Sequence, residues 1–488
     1  MTFQIYNVVI EGREHELSRG LNTQDNVVSV LTGKNGTGKS TILEFIASNF
    51  VVSDSFLIEY PSNWDENFNS VMSDYSANQI VYRSSENKIA AQRISKLVAC
   101  VFKSNEYIKE RKKVFPTRLI CLSTSPFDRF PINVKKILME DSIYSYIGMK
   151  NSQRNSSIVS LISNVLDTMF KKPEKLQINF NVIRTTLDYL GYGSRILVTY
   201  RSNLSRTDVP FISKKEMSEL LSKYDGPLIN SIEIGSRTWG EIVEQVQKSI
   251  SVLVESNGNR WKNSFSIPIN LTKNRTLEDD YIKAIQVLSQ VGLFKIKSLK
   301  LSQKQDNRKF IDFINASSGE QCLALMLLGI ASQIENNSLI CIDEPEISLH
   351  PEWQKDFIPL INNLFGAYRG CHFIIATHSP LIISNLESKN CFVLDLDNND
   401  LVDIGVSTSN SSDYQLATLF KSPGFRNEYL VNESLDILNS LAKLMPISET
   451  LLKRTELLVS LKVKLDESDP VYSLINTIEK VLEAVDAN

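Results

Sequence analysis

The run Gly33, Lys34, Asn35, Gly36, Thr37, Gly38, Lys39, Ser40 and Thr41 has the spacing G-x-x-x-x-G-K-[ST] of a loop that cradles phosphates. Its glycines let the backbone fold round an anion, so that successive N–H groups and the start of the following helix face the β-phosphate of a nucleotide. Lys39 is then placed to reach the β- and γ-phosphates, and Ser40 to ligate Mg2+. The motif demands a strand before it and a helix after it. The apolar run Val27 to Leu31 supplies the first, and the stretch from Lys39 the second.

Asp343 and Glu344 follow the apolar run Leu339 to Ile342, at the kind of strand tip where a parallel sheet holds its ligand. Asp343 can hold the Mg2+ shell, and Glu344 can polarise a water for in-line attack on the γ-phosphate. Alone, such a pair also fits the start of a loop; beside a phosphate loop the chemical reading prevails. His378 closes the next apolar run, Phe373 to Ala376, as either a γ-phosphate contact or an ordinary loop histidine. Ser317, Ser318, Gly319 and Glu320 precede an apolar helix running from Cys322. Their small residues and free N–H groups suit an anion, yet Ser317 with Glu320 also forms a plain capping box, the reading that these residues alone favour.

These groups are scattered along 488 residues, more than one ordinary core holds, which predicts two or three packed lobes. Hydrophobic residues at 42% and charged residues at 22% exclude a mainly disordered chain. With 53 Lys+Arg against 56 Asp+Glu the net charge is -3, so any nucleic-acid contact must come from a local patch. The longest apolar run, Cys322 to Ala331, is too short for a membrane helix, and the N-terminus, with Glu11, Arg13, Glu14 and Glu16, lacks a signal-peptide core. Six cysteines without a Cys-x-x-Cys pair predict reduced thiols, no zinc and a cytoplasmic location without a membrane partner.

The pattern predicts four regions: 1–141, the N-terminal part of an α/β nucleotide-binding lobe; 142–292, an inserted, mostly helical lobe; 293–413, the C-terminal part of the nucleotide-binding lobe; and 414–488, a helical region for packing or partner binding. Within them, Phe294 to Leu301 and Lys309 to Phe313 alternate about a polar turn and predict a β-hairpin. Leu339 to Ile342 and His372 to Ala376 read as strands buried on both faces of a parallel sheet. Near the end, Val471, Leu474, Ile475, Ile478, Val481, Leu482 and Val485 share one helical stripe, and Leu451, Leu458 and Leu465 mark another. Each stripe needs a cover, from the body, a neighbouring helix or another subunit.

In this order, the phosphate loop, Ser317 to Glu320, the Asp343–Glu344 pair and His378 resemble the ATP-binding-cassette (ABC) ATPases of the SMC, Rad50 and OLD group. Ala316 to Glu320 is similar to their signature Leu-Ser-Gly-Gly-Glu/Gln, with Ser317 and Gly319 in matching places and Ala316 and Ser318 departing from it. Asp343 and Glu344 match the Walker B pair, and His378 the switch histidine. Pro345 to Pro351 resembles the D-loop, with His350 where transporters carry Asp, which argues against a transporter subunit. Leu122 to Asp128 is the expected Q-loop. The resemblance implies a P-loop NTPase with an ABC-type head that hydrolyses ATP with Mg2+, using Glu344, His378 and Lys39. It also implies a head-to-head dimer or higher oligomer, with ATP held between the phosphate loop of one copy and Ser317 to Glu320 of another.

OLD-family nucleases add a Toprim domain with an Asp-x-Asp metal pair. Asp395 and Asp397 have that bare spacing, but their place directly after the cassette argues against a built-in nuclease. The remainder looks like the stand-alone ATPases of bacterial antiphage systems, such as PtuA of Septu and retrons or AriA of PARIS, which work with a separate HNH or Toprim effector. The other readings are a RecF- or Rad50-like DNA clamp of repair and recombination, and a nucleotide-stabilised scaffold. Lys295, Lys297, Lys300, Lys304, Arg308 and Lys309 cluster on the expected hairpin, where they suit DNA, RNA or an acidic partner, or simply a solvated face. Lys109, Arg111, Lys112 and Lys113 form a second cluster with the same alternatives.

Overall fold

A computed structural model describes residues 2–19, 25–56, 79–84, 87–93, 99–103, 106–107, 115–132, 143–148, 161, 165, 173–204, 213–223, 238–272, 280–384, 386, 390–403, 417, 423, 426–442 and 449–486. They form three sheets. The first is antiparallel, in the order β2 (Arg13–Glu16), β1 (Phe3–Ile10), β4 (Gln79–Ser84), β5 (Asn87–Arg93), β6 (Ala99–Lys103) and β7 (Glu106–Tyr107). The second is central, in the order β17 (Asp400–Asp403), β16 (Cys391–Asp395), β3 (Val27–Thr32), β15 (His372–Ala376), β14 (Leu339–Asp343), β8 (Leu119–Ser123) and β9 (Tyr144–Gly148). All its pairs are parallel except β16 with β17. The third is antiparallel, in the order β11 (Ser264–Asn270), β10 (Tyr192–Ser202), β12 (Phe294–Gln303) and β13 (Phe310–Asp312).

Helices α1 (Lys39–Phe56), α2 (Pro173–Tyr189), α3 (Lys214–Leu221), α4 (Trp239–Ser256), α5 (Asp280–Gln290), α6 (Ser318–Gln333), α7 (Pro351–Phe365) and α8 (Pro380–Ser384) surround the sheets. This is an α/β P-loop NTPase head. The five strands β3, β8, β14, β15 and β16 are buried at every position, because both faces of the central sheet are covered. Alternate residues serve different cores. Val28, Ile340 and Phe373 pack with α6, α7 and the third sheet, whereas Leu31, Cys341 and Ile374 pack with α1 and the first sheet. Helix α6 comes close to β9 because residue 329 is glycine: a Cβ there would lie 2.8 Å from Ile147 Cδ1.

Two of the three expected boundaries fall inside shared sheets. Tyr144–Gly148 is the parallel edge strand of the central sheet, so that sheet continues past residue 141. Across 292/293, β10 pairs with β12 over most of its length. The inserted region carries strands beside its helices, since β10 and β11 lie within it and share one continuous core with the central sheet. The local pattern cannot report this, because the partner of β10 lies about a hundred residues further along, and antiparallel pairing leaves no mark on sequence spacing. The expected hairpin is present as β12 and β13, with Lys300 opposite Asp312 and Leu301 opposite Ile311.

The last helices, α9 (Glu428–Ala442), α10 (Glu449–Lys462) and α11 (Pro470–Asp486), cover their own stripes. Leu451, Leu458, Leu465, Val471, Ile475 and Ile478 are buried in a core of their own with Leu430 and Ile437. Lys109, Arg111, Lys112 and Lys113 lie outside the described residues. Among the described residues, no helix is long and apolar enough to cross a membrane.

One side chain pins the first sheet to the second. His372, fully buried at the start of β15, accepts the Ile5 N–H at Nδ1 (3.0 Å), while its Nε2 lies 2.8 Å from Ser29 Oγ. The Ser29 hydroxyl donates in turn to the Leu17 carbonyl at 2.7 Å, which leaves Nε2–H as the donor to Ser29. Burial pushes the pKa of His372 down to about 3, so the imidazole is neutral in the fold. Because the folded value lies below the unfolded one, stability is complete above pH ~6.5 and falls as acid approaches pH ~3. The cost expected from this group is about 2 kcal/mol on going from pH 7 to pH 5. His372→Leu should lower the urea midpoint at pH 7 yet flatten its decline between pH 7 and pH 5; an unchanged slope in the variant would refute the assignment.

Candidate functional site

The phosphate loop leaves β3 and enters α1, as its motif requires. Gly36 and Gly38 adopt φ of 86° and 97°, and a Cβ on either would meet nothing within 4 Å. The constraint at both is therefore conformational, and it leaves an open concavity. Lys39 is buried beneath the loop and donates from Nζ to the Gly33 carbonyl (2.7 Å), the Lys34 carbonyl (2.9 Å) and Thr37 Oγ1 (3.4 Å). Burial pulls its pKa below the usual lysine value, and the carboxylates of Asp397, Glu344, Glu346 and Asp343 partly restore it.

The central sheet brings β14 and β15 alongside this loop. Ser40 Oγ donates to Asp343 Oδ1 at 3.0 Å, across 303 residues of sequence. Asp343 is 3% exposed, and burial pushes its pKa up to about 7; the Ser40 bond opposes the rise, while Glu344, Asp128 and Glu346 add to it. A buried carboxylate beside a hydroxyl, with further carboxylates around it, is a site short of positive charge. These residues fit Mg2+·ATP: Lys39 and the loop amides for phosphate, Ser40 and Asp343 for the cation. Among the described residues there is no group of three or more His, Cys, Asp or Glu arranged to hold a metal. A cation at Ser40 and Asp343 would draw its remaining ligands from phosphate oxygens and water.

Glu344 turns out of the strand at φ 50°, a conformation costly for a side chain with a Cβ, and its N–H donates to the Ala376 carbonyl at 2.9 Å. The turn sets its Oε1 3.5 Å from His378 Nε2. His378 is held below the usual histidine pKa by burial and then by Lys39, against the pull of Glu344 and of a hydrogen bond to the Gly33 backbone. It is therefore neutral at physiological pH. Lys39, Ser40, Asp343, Glu344 and His378 thus form one cluster.

Ser317 to Glu320 opens α6, which packs in the core on the other face of the central sheet from α1. Ser317 caps α6, and the reciprocal capping box is complete: the Glu320 N–H donates to Ser317 Oγ (3.2 Å), and the Ser317 N–H to Glu320 Oε2 (2.8 Å). Gly319 packs against the segment that follows Glu344, since a Cβ there would lie 2.8 Å from the Ser348 carbonyl and 3.1 Å from the Trp353 ring. The expected Q-loop, Leu122 to Asp128, leaves β8 with Ser123 level with Asp343. Asp128 is buried there and accepts from the Tyr146 hydroxyl at 2.7 Å.

Two further acidic residues join the site: Glu346, which the sequence reading did not single out, and Asp397, which it weighed only for its Asp-x-Asp spacing. Glu346 Oε1 accepts the His378 N–H at 2.6 Å and so clamps the histidine loop. Burial raises its pKa, and that hydrogen bond lowers it. Its signal was a third acidic residue two positions after Glu344. Asp397 Oδ2 accepts the Lys34 N–H at 3.3 Å, and Asp395 Oδ1 accepts the Asp397 N–H at 2.9 Å. The Asp-x-Asp spacing therefore serves the turn after β16, which packs Leu396 against Gly33.

A family model described as "AAA domain, putative AbiEii toxin, Type IV TA system" matches residues 231–384. That stretch holds Ser317 to Glu320, Asp343, Glu344 and His378 but not the phosphate loop. The chain is similar to the retron Vc95 probable ATPase of Vibrio cholerae serotype O1 biovar El Tor, 23% identical over 398 residues, spanning 75% of this chain and 68% of that protein. It is also similar to the retron Ec83 probable ATPase of Escherichia coli, 24% identical over 184 residues, spanning 35% of this chain and 32% of that protein. Among solved structures, the SMC head domain from Thermotoga maritima aligns over 82% of this chain and 97% of its own, at 10% identity and a TM-score of 0.29.

The raised pKa of Asp343 has a measurable consequence without nucleotide or divalent cation. Its folded value of about 7 exceeds the unfolded 3.8, so the stability tied to its neutral form is present below pH ~4 and is lost as pH rises through about 7. Asp343→Asn removes that penalty. In EDTA the variant should be more stable than the parent at pH 8, by about 1–3 kcal/mol, and the gain should shrink at pH 5. Denaturant midpoints at the two pH values check this; a variant less stable at pH 8 than at pH 5, relative to the parent, would count against it.

Proposed function

We propose that this ATPase is the nucleotide-controlled subunit of a cytoplasmic antiphage defence system. Two copies pair head to head around ATP and, according to nucleotide state, hold or release a separate effector, an HNH or Toprim nuclease. The observation that carries the pairing is the division of the site: Lys39, Ser40, Asp343, Glu344 and His378 converge, whereas Ser317 to Glu320 opens α6 elsewhere and is held by its own capping box. A second copy would bring that helix start to the open side of the phosphate loop. The retron names of the two relatives support the defence role.

In the reaction, Lys39 exchanges the Gly33 and Lys34 carbonyls for phosphate oxygens, which keeps its ammonium paired throughout. Ser40 and Asp343 would hold Mg2+, whose chemistry is to neutralise charge building on the phosphate oxygens. Glu344 Oε1 accepts a proton from the attacking water. His378, neutral and 3.5 Å away, orients that carboxylate, and Glu346 fixes the histidine through its backbone.

Binding and turnover separate by mutation. Lys39→Ala should weaken ATP binding at least about tenfold, because a buried cation to the phosphates is lost. Glu344→Gln should keep ATP, lower hydrolysis by about a hundredfold or more, and accumulate as paired heads on gel filtration. Hydrolysis by Glu344→Gln at the parental rate would remove its assignment as base. Ser317→Arg and Lys39→Ala subunits should each be inactive alone and regain at most one composite site when mixed. Full activity from either alone would exclude a site shared between copies.

A further inference from the structure

The third sheet has one covered and one open face. Ile196, Val198 and Tyr200 of β10 are buried, as are Phe265, Ile267, Phe294, Leu299 and Leu301 of its neighbours. The alternate residues of β10 point the other way: Arg195 and Arg201 are exposed, and Leu197 and Thr199 half-buried. Beside them on β12, Lys295 and Lys297 are exposed and Lys300 half-buried. The register joins the two sets, with Arg201 opposite Lys295 and Leu197 opposite Lys300.

Odd spacing would ordinarily send Lys297 and Lys300 to opposite faces. A register shift prevents it. Thr199 pairs with Ser298 and Tyr200 with Ile296, so Lys297 is an extra residue bulged from the ladder, and the outward set continues through Ser298 to Lys300. Five cations thereby share one face, along about 20 Å of strand between Arg195 and Arg201. On β10, β11 and β12 no outward position is acidic; the nearest carboxylate in register is Asp312 of β13, opposite Lys300. Between the cations stand hydroxyls, with Thr199 Oγ1 3.0 Å from Ser266 Oγ and Ser298 alongside. An open pocket is lined by Arg201, Ser202, Asn203, Lys295, Ile296 and Lys297.

We propose that this sheet face binds the sugar-phosphate backbone of a double-stranded nucleic acid. The face offers ammonium and guanidinium groups with neutral hydroxyl donors, the set that backbone phosphates require. A protein partner would want an apolar or aromatic centre and few lysines, and here only Leu197 is apolar among the outward positions of β10. A single strand would want rings on which to stack its bases; the outward positions of β10, β11 and β12 carry none, and the exposed ring of this sheet, Phe310, stands apart on the edge strand β13 opposite the buried Ser302. The site reads no bases. It is also not the hairpin cluster that the sequence suggests: Lys304 turns away to Asp188 at 2.8 Å, while Arg195 and Arg201 join from about a hundred residues upstream.

The test is fluorescence anisotropy of the full chain with a short labelled duplex of arbitrary sequence, as DNA and as RNA, and with the matching single strand. Duplex affinity should fall steeply between about 50 and 200 mM salt, and be indifferent to sequence. Lys295→Glu with Lys297→Glu should weaken it at least about tenfold and flatten the salt slope by roughly two. Lys304→Glu should bind as the parent does. Arg201→Gln, a milder change, should weaken binding in the same direction, and retained stabilisation by ATP certifies that each variant is folded. Parental affinity in the folded Lys295→Glu, Lys297→Glu variant overturns the proposal, as does binding without salt dependence. Tighter capture of the single strand, or of polyglutamate as an acidic polypeptide, overturns it as well. None of these readouts depends on pairing of the heads or on ATP hydrolysis, so the two proposals stand or fall separately.

Discussion

The bond from Ser40 to Asp343 ties the phosphate loop to the tip of β14, and the chemistry of the head is arranged around the charge problem it creates. Asp343 is buried, Glu344 and Glu346 follow within three residues, and Asp397 leans on the loop from the other side. One buried ammonium, Lys39, stands among these four carboxylates. Such a site is under-neutralised by itself: burial, with the neighbouring carboxylates adding to it, pushes the Asp343 pKa up to about 7. It is built to be completed by a cation and by phosphate that screens the lysine.

The same constraint explains the segment that follows. Glu344 departs from strand geometry to clear the sheet, and the chain then runs from Pro345 to Pro351 before α7 begins. Along that path Glu346 grips the His378 N–H, and within the first turn of α7 Gln354 accepts the Ser379 hydroxyl at 2.6 Å. The Ser348 carbonyl sits against Gly319, at the start of α6. A single short segment therefore touches both the His378 loop and the start of α6. Steric contact of this kind transmits small displacements, because a packed interior does not compress.

The inserted region is not a separate appendage. Its strands β10 and β11 build one sheet with β12 and β13, and that sheet shares one core with α6, α7 and the central strands, so burial fixes its open face relative to the head. The three last helices differ, since their buried stripes close on each other.

The phosphate loop, the carboxylate pair, His378, the parallel strands and the hairpin were all legible in the linear sequence. Each rests on contiguous residues, whose spacing carries its own physical requirement: glycines for a turn, unbroken apolar runs for strands covered on both sides. The capping box at Ser317 was legible for the same reason. What the chain order could not reveal depends on partners distant in sequence. Glu346 and Asp397 became site residues only through the alignment of β14, β15 and β16 beside β3. Arg195 and Arg201 met Lys295 only through antiparallel register, and Lys297 joined them only because a bulge reset that register. Residue type and local spacing determined which groups could do chemistry; tertiary packing decided which of them share a space, because pairing between distant strands is settled by burial of whole faces and not by any one stretch of sequence.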